Sequence, residues 1–385
     1  MAELNPVTAH LTPALRLRWL DSGRAGLAAM VRAIGAARES VKLQTYIFRD
    51  DDAGRRLREA LVAASARGVR VRVLIDALGS FALPADFFTE LEARGGECRR
   101  FNPLHPRRFL YRNHRKSLVC DRETAIIGGF NIAEEYDGDG VETGWRDFGL
   151  KLGGPLAAAV ARSFDRLYVL SDFLPRHFAR LRRARDSGLI DAPPGQVIFS
   201  GPGLGPNPLK RALLRDLGKA GRVRIITPYF LPTWGLRRRL MKIARHGGQV
   251  ELLLPGTSDV PLARHAGRAL YGRLIRAGVQ IFEYQPKILH SKLVIADDAV
   301  YAGSANFNTR SLHIDFELMV RIDDAAVREH AGALFSAHLA HSCPIEPAEW
   351  MRRRGLWERI RQRIAYFVVA RLDPLVAGWL WRKRG

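Results

Sequence analysis

One short pattern occurs twice in this chain and constrains everything else. His114-Arg115-Lys116-Ser117-Leu118-Val119-Cys120-Asp121 and His290-Ser291-Lys292-Leu293-Val294-Ile295-Ala296-Asp297 both read H-x-K-x-x-x-x-D. Each is followed by a glycine and, three residues later, an asparagine: Gly128-Gly129-Phe130-Asn131 and Gly303-Ser304-Ala305-Asn306. A single copy could be chance. Two copies with the same follow-on mark an internal duplication that carries reactive side chains.

Ser117–Cys120 and Leu293–Ala296 are short apolar runs ending at Asp, the signature of a buried strand entering a turn. Residues two apart on a strand share a face, so His114 projects with Lys116 and His290 with Lys292. A second apolar run follows each turn and ends at glycine, which brings Asn131 and Asn306 to the same place. A phosphodiester needs such a set: a nucleophile, an acid for the leaving oxygen, and donors for the non-bridging oxygens. The set requires no metal and no cofactor. One imidazole must be neutral to attack while the other is protonated to donate, so their surroundings must differ. A solitary histidine beside a lysine would read as a solvated strand edge, and Asp121 and Asp297 alone as turn residues. Duplication of the cluster argues for chemistry.

The repeat extends outward. Val41–Phe48 parallels Val223–Phe230, Arg67–Leu74 parallels His246–Leu253, and Leu91–Gly96 parallels Leu274–Val279. Each half therefore reads strand, helix, strand, helix, strand and then the motif strands, an α/β unit with helices covering a mixed sheet. A chain of 385 residues holds two such units. Proline and glycine at Pro193-Pro194-Gly195 and Gly201-Pro202-Gly203 interrupt the periodicity, so the expected units are residues 1–190 and 191–345, with a tail from 346 to 385.

The two motifs with their extensions resemble the paired HKD motifs of the phospholipase D superfamily. Asn113-His114-Arg115-Lys116, Glu134-Glu135-Tyr136 and Gly144-Trp145-Arg146-Asp147 are similar to the first half of bacterial cardiolipin synthases, and Ser304-Ala305-Asn306, Arg310-Ser311 and Phe316-Glu317 to the second. The resemblance implies two tandem phospholipase D-like α/β/α sandwich domains, related by pseudo-two-fold symmetry, with a single active site at their interface. It implies a catalytic set of His114, Lys116, Asp121, His290, Lys292 and Asp297, with Asn131, Ser304 and Asn306 on the phosphate and Asp147 and Glu317 orienting the histidines. The implied reaction moves a phosphatidyl group from one phosphatidylglycerol to another through a phosphatidyl-histidine, releasing glycerol. Attack by His114 follows family habit, since the sequence itself is nearly symmetric. Water as acceptor would give a phospholipase D, another alcohol a headgroup exchange. A metal-independent nuclease would use the same groups. Gly129 facing Ser304 makes the two halves chemically unequal.

A net charge of +22 concentrates anions at the surface. In the tail, Arg352, Arg353, Arg354, Arg359, Arg361 and Arg363 interleave with Leu356, Trp357 and Ile360, and further apolar runs follow to Trp381. Arg371, Asp373 and Pro374 cut that stretch too short to span a bilayer. The tail suits a helix lying among the headgroups of an anionic membrane containing phosphatidylglycerol and cardiolipin, or else a helix packed on the core. No nucleic-acid partner is expected. Neither a signal peptide nor an N-terminal spanning helix is readable, as in the shorter members of the family. Cys98, Cys120 and Cys343 form no metal spacing and suit a reducing compartment. The expected location is peripheral, on the cytoplasmic face of the bacterial inner membrane.

Overall fold

The structure, a computed structural model, describes residues 16–103, 111–171, 188–193, 195–202, 207–353 and 355–372. The first half runs β1 (Leu17–Leu20), α1 (Gly23–Ala36), β2 (Ser40–Thr45), α2 (Asp52–Ala66), β3 (Arg70–Asp76), α3 (Thr89–Ala93), β4 (Glu97–Phe101), β5 (Ser117–Cys120), β6 (Thr124–Gly128), β7 (Gly149–Gly153) and α4 (Gly154–Val169). The second runs β8 (Gly188–Ala192), β9 (Gly195–Ser200), α5 (Pro208–Asp216), β10 (Arg222–Ile226), α6 (Trp234–Arg245), β11 (Gln249–Pro255), α7 (Pro261–Ile275), β12 (Gln280–Tyr284), β13 (Leu293–Ala296), β14 (Ala299–Gly303), α8 (Thr309–His313), β15 (Glu317–Asp323), α9 (Ala325–Leu339) and β16 (Ser342–Pro344). Two helices follow, α10 (Pro347–Arg353) and α11 (Leu356–Phe367).

The strands form two mixed sheets. One has the order β1-β7-β6-β5-β2-β3-β4, the other β8-β9-β15-β14-β13-β10-β11-β12-β16. Without β8 and β16 at its edges, the second order repeats the first strand for strand. β8 crosses the division expected after residue 190 and pairs with β9 inside the second sheet. In each sheet three strands are parallel and linked by helices, while the motif hairpin is antiparallel to them. The motif strands β5 and β13 lie mid-sheet and every residue in them is buried, which explains their unbroken apolar runs.

Three apolar layers hold the two sheets. Leu27 and Leu57 of α1 and α2 pack on Val41 and Val73, covering the outer face of the first sheet. Leu240 and Leu270 of α6 and α7 do the same on Ile225 and Leu252 of the second. Between the sheets lies a shared core in which Val160 of α4 and Phe335 of α9 meet Val119, Ile127, Leu293 and Val320. An apolar core thus runs across the interface between the halves. That fixes the two motif ends against each other.

The tail helix packs on the second half. α11 packs on α7, burying Gln362 and Ala365. Its opposite face is apolar and open to solvent: Leu356 is 72% exposed, Trp357 83%, Ile364 59% and Phe367 56%. A single π turn, Val368–Leu372, continues the helix. The later apolar run, with the arginines at 382 and 384, lies outside the described residues, as does the amino-terminal stretch 1–13. Among the described residues no helix is long and apolar enough to cross a membrane.

Candidate active site

Backbone bonds between the halves build the site. His114 N donates to Phe316 O and Phe316 N to Arg112 O, both at 2.9 Å. In the mirror arrangement His290 N donates to Arg146 O and Arg146 N to Ile288 O, both at 2.8 Å. Each histidine segment is therefore bridged to the segment of the other half that carries a carboxylate. His114 Nδ1 then meets Glu317 Oε1 at 2.9 Å, and His290 Nδ1 meets Asp147 Oδ2 at 2.7 Å. Both carboxylates are fully buried. With Nδ1–H held by a carboxylate, the Nε2 lone pair is the free one, the tautomer a nucleophile or base requires.

The two histidines open into one cleft of about 410 Å³ at the carboxyl ends of the parallel strands, where ligands of open α/β sheets bind. Asn131, Asn306, Tyr46, Tyr136 and Tyr229 line it, and Leu231, Val260, Ala263 and Val369 form an apolar part of its wall. Tyr46 meets the His114 ring edge-on, and Tyr136 and Trp145 stand against His290. Lys116 and Lys292 lie behind the imidazoles, each 1% exposed. Lys116 donates to His114 O at 2.8 Å and faces the Tyr46 ring. Lys292 Nζ donates to His290 O and sits about 3 Å from both ring nitrogens, so it lies against the face of the imidazole.

Burial dominates the electrostatics. It pushes His114 and His290 well below the ordinary imidazole value, and the neighbouring lysines push the same way. Burial also raises Glu317 to about 7, opposed by Lys116 and by two serine hydroxyls, and raises Asp147 to about 7, opposed by Lys292 and the Phe148 amide. Lys292 is lowered to about 8 by burial, with Asp147 and Glu317 pulling it back. Burial thus favours the neutral form of both imidazoles and brings their carboxylate partners to about 7, within the range acid–base chemistry uses.

The halves differ where the sequence differs. Ser304 Oγ donates to Glu317 Oε2 at 2.5 Å, and Ser311 Oγ to Oε1 at 2.6 Å. Asp147 receives instead the Phe148 N–H at 2.8 Å. A Cβ at Gly129 would lie 2.6 Å from Asp147 Oδ1, so no side chain fits there. Glycine with aspartate and serine with glutamate are two fillings of the same space.

Three assignments need correcting. Asp121 and Asp297 are not in the cleft but at the far end of the motif strands, on the order of 15 Å from the lysines. Asp121 accepts from the backbone N–H groups of Arg38, Glu39 and Ser40, and Asp297 from those of Gly221 and Arg222. Both adopt left-handed backbone, φ 53° and 46°, which Asp tolerates better than most residues. They clamp the hairpin turn to the neighbouring strand. Ser304 faces Glu317 and not the cleft, because its hydroxyl is held by that carboxylate. Of the asparagines, Asn131 accepts from Ile47 N and donates to Tyr136 Oη, whereas Asn306 Oδ1 has no partner.

Sequence reasoning missed the residues that hold the motifs in place. Arg115, fully buried, donates to Glu317 O and to Ser163 Oγ. At the matching position Ser291 donates to Arg146 O and contacts His338, which also takes Arg146 Nε. Period two places both x residues on the strand face opposite the histidines, a signal that was available. Asp76 was not readable: it sits at the end of β3 and accepts from Asn113 N and Arg112.

The family model described as cardiolipin synthase, PLD-like domain, matches residues 30–166 and 213–339. Cardiolipin synthase A of Pseudomonas aeruginosa is 34% identical over 369 residues, 93% of this chain and 74% of that protein. Cardiolipin synthase B of Escherichia coli is 31% identical over 379 residues, 95% of this chain and 90% of that protein. The crystal structure of a phosphatidylserine synthase from Haemophilus influenzae shares the fold, with a TM-score of 0.75 at 17% identity over 96% of both chains. The chain belongs to the phospholipase D-like family of cardiolipin synthases and is a phosphatidyltransferase.

Proposed function

We propose that the chain joins two phosphatidylglycerols into cardiolipin with release of glycerol. His114 Nε2 attacks the phosphorus of the first lipid, forming a P–N bond as the P–O bond to glycerol breaks. Protonated His290 gives its Nε2 proton to the departing oxygen. Neutral His290 then takes the proton of a headgroup hydroxyl on the second lipid, whose oxygen displaces His114 from phosphorus. One phosphodiester replaces another, so no energy input is needed. Lys116, Lys292, Asn131 and Asn306 are the donors for the phosphate oxygens, the two asparagines through their side-chain N–H groups from the cleft wall. The better-supported carboxylate, Glu317, stands behind the nucleophile, where it stabilises the positive charge that develops on the ring.

The observation that carries this reading is the pair of cross-domain histidine–carboxylate contacts in one cleft with an apolar wall. About 410 Å³ accommodates headgroups but not two diacyl lipids, so the acyl chains must remain outside. Exposed Val260 and Leu262, the Val369 of the π turn and the stripe of α11 offer them an apolar path to the membrane. Water is disfavoured as acceptor when such a mouth is sealed by lipid. We accordingly assign the chain peripherally to the bacterial plasma membrane, on the cytoplasmic face, where its three unpaired thiols suit a reducing compartment.

Incubation of the purified chain with phosphatidylglycerol vesicles tests the proposal. Cardiolipin and free glycerol in equal amounts are expected. Predominant phosphatidic acid would make the chain a hydrolase, and turnover of oligonucleotides alone a nuclease. A phospho-adduct trapped on His290 but never on His114 would exchange the roles of the two histidines.

A further inference from the structure

A second cleft lies between α7 and α11, away from the histidines. Its volume is about 280 Å³, and Arg273, Arg276, Arg359 and Arg363 line it with Gln362 and Tyr366. Among the described residues none of these four arginine side chains has an ion pair or hydrogen bond. Other arginines on the same helices do: Arg268 pairs with Glu283 and Arg361 with Glu358. Gln362 is 1% exposed, its Nε2 donates to Glu358, and its Oε1 is buried without a partner. The cleft thus combines four unpaired guanidinium groups with an unpartnered acceptor. Guanidinium forks match phosphate oxygens, and the amide oxygen calls for a hydroxyl donor.

We propose that this cleft binds the phosphoglycerol headgroup of an anionic lipid, as a lipid site separate from the catalytic one. The proposal rests on the reading that α11 lies on the membrane. On a helix of 3.6 residues per turn, Arg359 and Arg363 stack one turn apart and flank the exposed stripe of Leu356, Ile360, Ile364 and Phe367. With the stripe in the acyl layer, these arginines stand at headgroup depth, and α7 brings Arg273 and Arg276 to the same level. The site would hold the chain on anionic bilayer with its catalytic mouth against the lipid.

The test uses the full chain and cosedimentation with phosphatidylcholine vesicles containing rising fractions of phosphatidylglycerol. Arg273→Ala/Arg363→Ala is compared with Arg32→Ala/Arg38→Ala, an equal charge loss at exposed positions of the first half. The cleft variant should lose about tenfold to thirtyfold in affinity for phosphatidylglycerol vesicles, and the control pair less than about threefold. Both should hydrolyse bis(p-nitrophenyl) phosphate like the parent, which shows that they are folded. Equal losses in the two pairs, or none in the cleft variant, would overturn the site. Inorganic phosphate and glycerol 3-phosphate form a second arm, read by thermal shift. Stabilisation by these soluble anions that the cleft variant lacks, with its vesicle binding intact, would make this a free-phosphate site and overturn the lipid assignment. Failure of the parent chain to bind any vesicle would instead bring down the membrane reading and the lipid occupant with it.

Discussion

Glu317 and His114 are separated by 203 positions in the chain and joined by a 2.9 Å hydrogen bond across the domain interface. The reciprocal bond joins Asp147 to His290. Neither half can therefore orient its own histidine. Each needs the other's carboxylate.

Replacing these carboxylates by their amides separates the two histidine roles. Glu317→Gln and Asp147→Asn keep the shape and remove the charge, and should each lower kcat by about 10²- to 10⁴-fold with little change in KM. An activated substrate such as bis(p-nitrophenyl) phosphate has a leaving group that needs no proton. Asp147→Asn should therefore be partly rescued on that substrate, while Glu317→Gln should be equally poor on both. The opposite pattern would make His290 the nucleophile.

Ser304 offers a finer test of the same pair. Burial raises Glu317, and the Ser304 and Ser311 hydroxyls hold it down. Ser304→Ala removes one of those donors, so the carboxyl should rise further and keep its proton to higher pH. His114 then loses its anionic partner sooner as pH falls. The acid limb of the kcat/KM profile should move up by about half to one pH unit, the equivalent of one hydrogen bond. An unmoved limb would show that Ser304 does not set the charge on Glu317. Gly129→Ala probes the mirror position more harshly, since its Cβ would collide with Asp147 and should abolish most activity.

Asp121 should behave as a structural residue despite closing the motif. Burial alone would raise its carboxyl, but the N–H groups of Ser40, Arg38 and Glu39 outweigh that and hold it below the usual value. A carboxyl lowered on folding contributes stability above its unfolded pKa, about 3.9, which is lost as pH falls through the folded one. Asp121→Ala should thus lower stability at pH 7 by about 1–2 kcal/mol, with the difference from the parent fading in acid. Turnover per folded molecule should stay within about twofold. A hundredfold fall in kcat at full folding would return Asp121 to the chemistry.

What could be read from the sequence follows from how local each feature is. The convergence of His114, Lys116 and Asn131, and of their second-half counterparts, needs only a period of two and one hairpin, so the duplicated motif announced it. The crossing of Glu317 to His114 needs the interface, which no window of sequence contains. Asp121 misled because a residue repeated in register with reactive groups looks reactive. The repetition here is that of a turn, where left-handed backbone and the free amides of the neighbouring strand's start, three at Asp121 and two at Asp297, select Asp. Arg115 and Ser291 were within reach, since alternation alone turns them away from the cleft and toward the other half.

The exposed stripe of α11 yields the last prediction. Truncating the tail would be a poor test, because Ala365 is buried beside Leu231 and Ala266, and Val369 forms part of the catalytic cleft wall. Point changes on the outer face avoid that damage. Trp357 and Ile364 touch no catalytic group, and each would bury about 1.5–3 kcal/mol of apolar surface in a bilayer. Trp357→Glu/Ile364→Glu should therefore weaken binding to phosphatidylglycerol vesicles at least about a hundredfold, while hydrolysis of bis(p-nitrophenyl) phosphate is unchanged. Cardiolipin formation on vesicles should fall with the binding and recover when substrate is supplied in detergent micelles. Unaltered vesicle binding would mean that the stripe meets something other than lipid, and the route for the acyl chains would then have to run past Val260 and Leu262 alone.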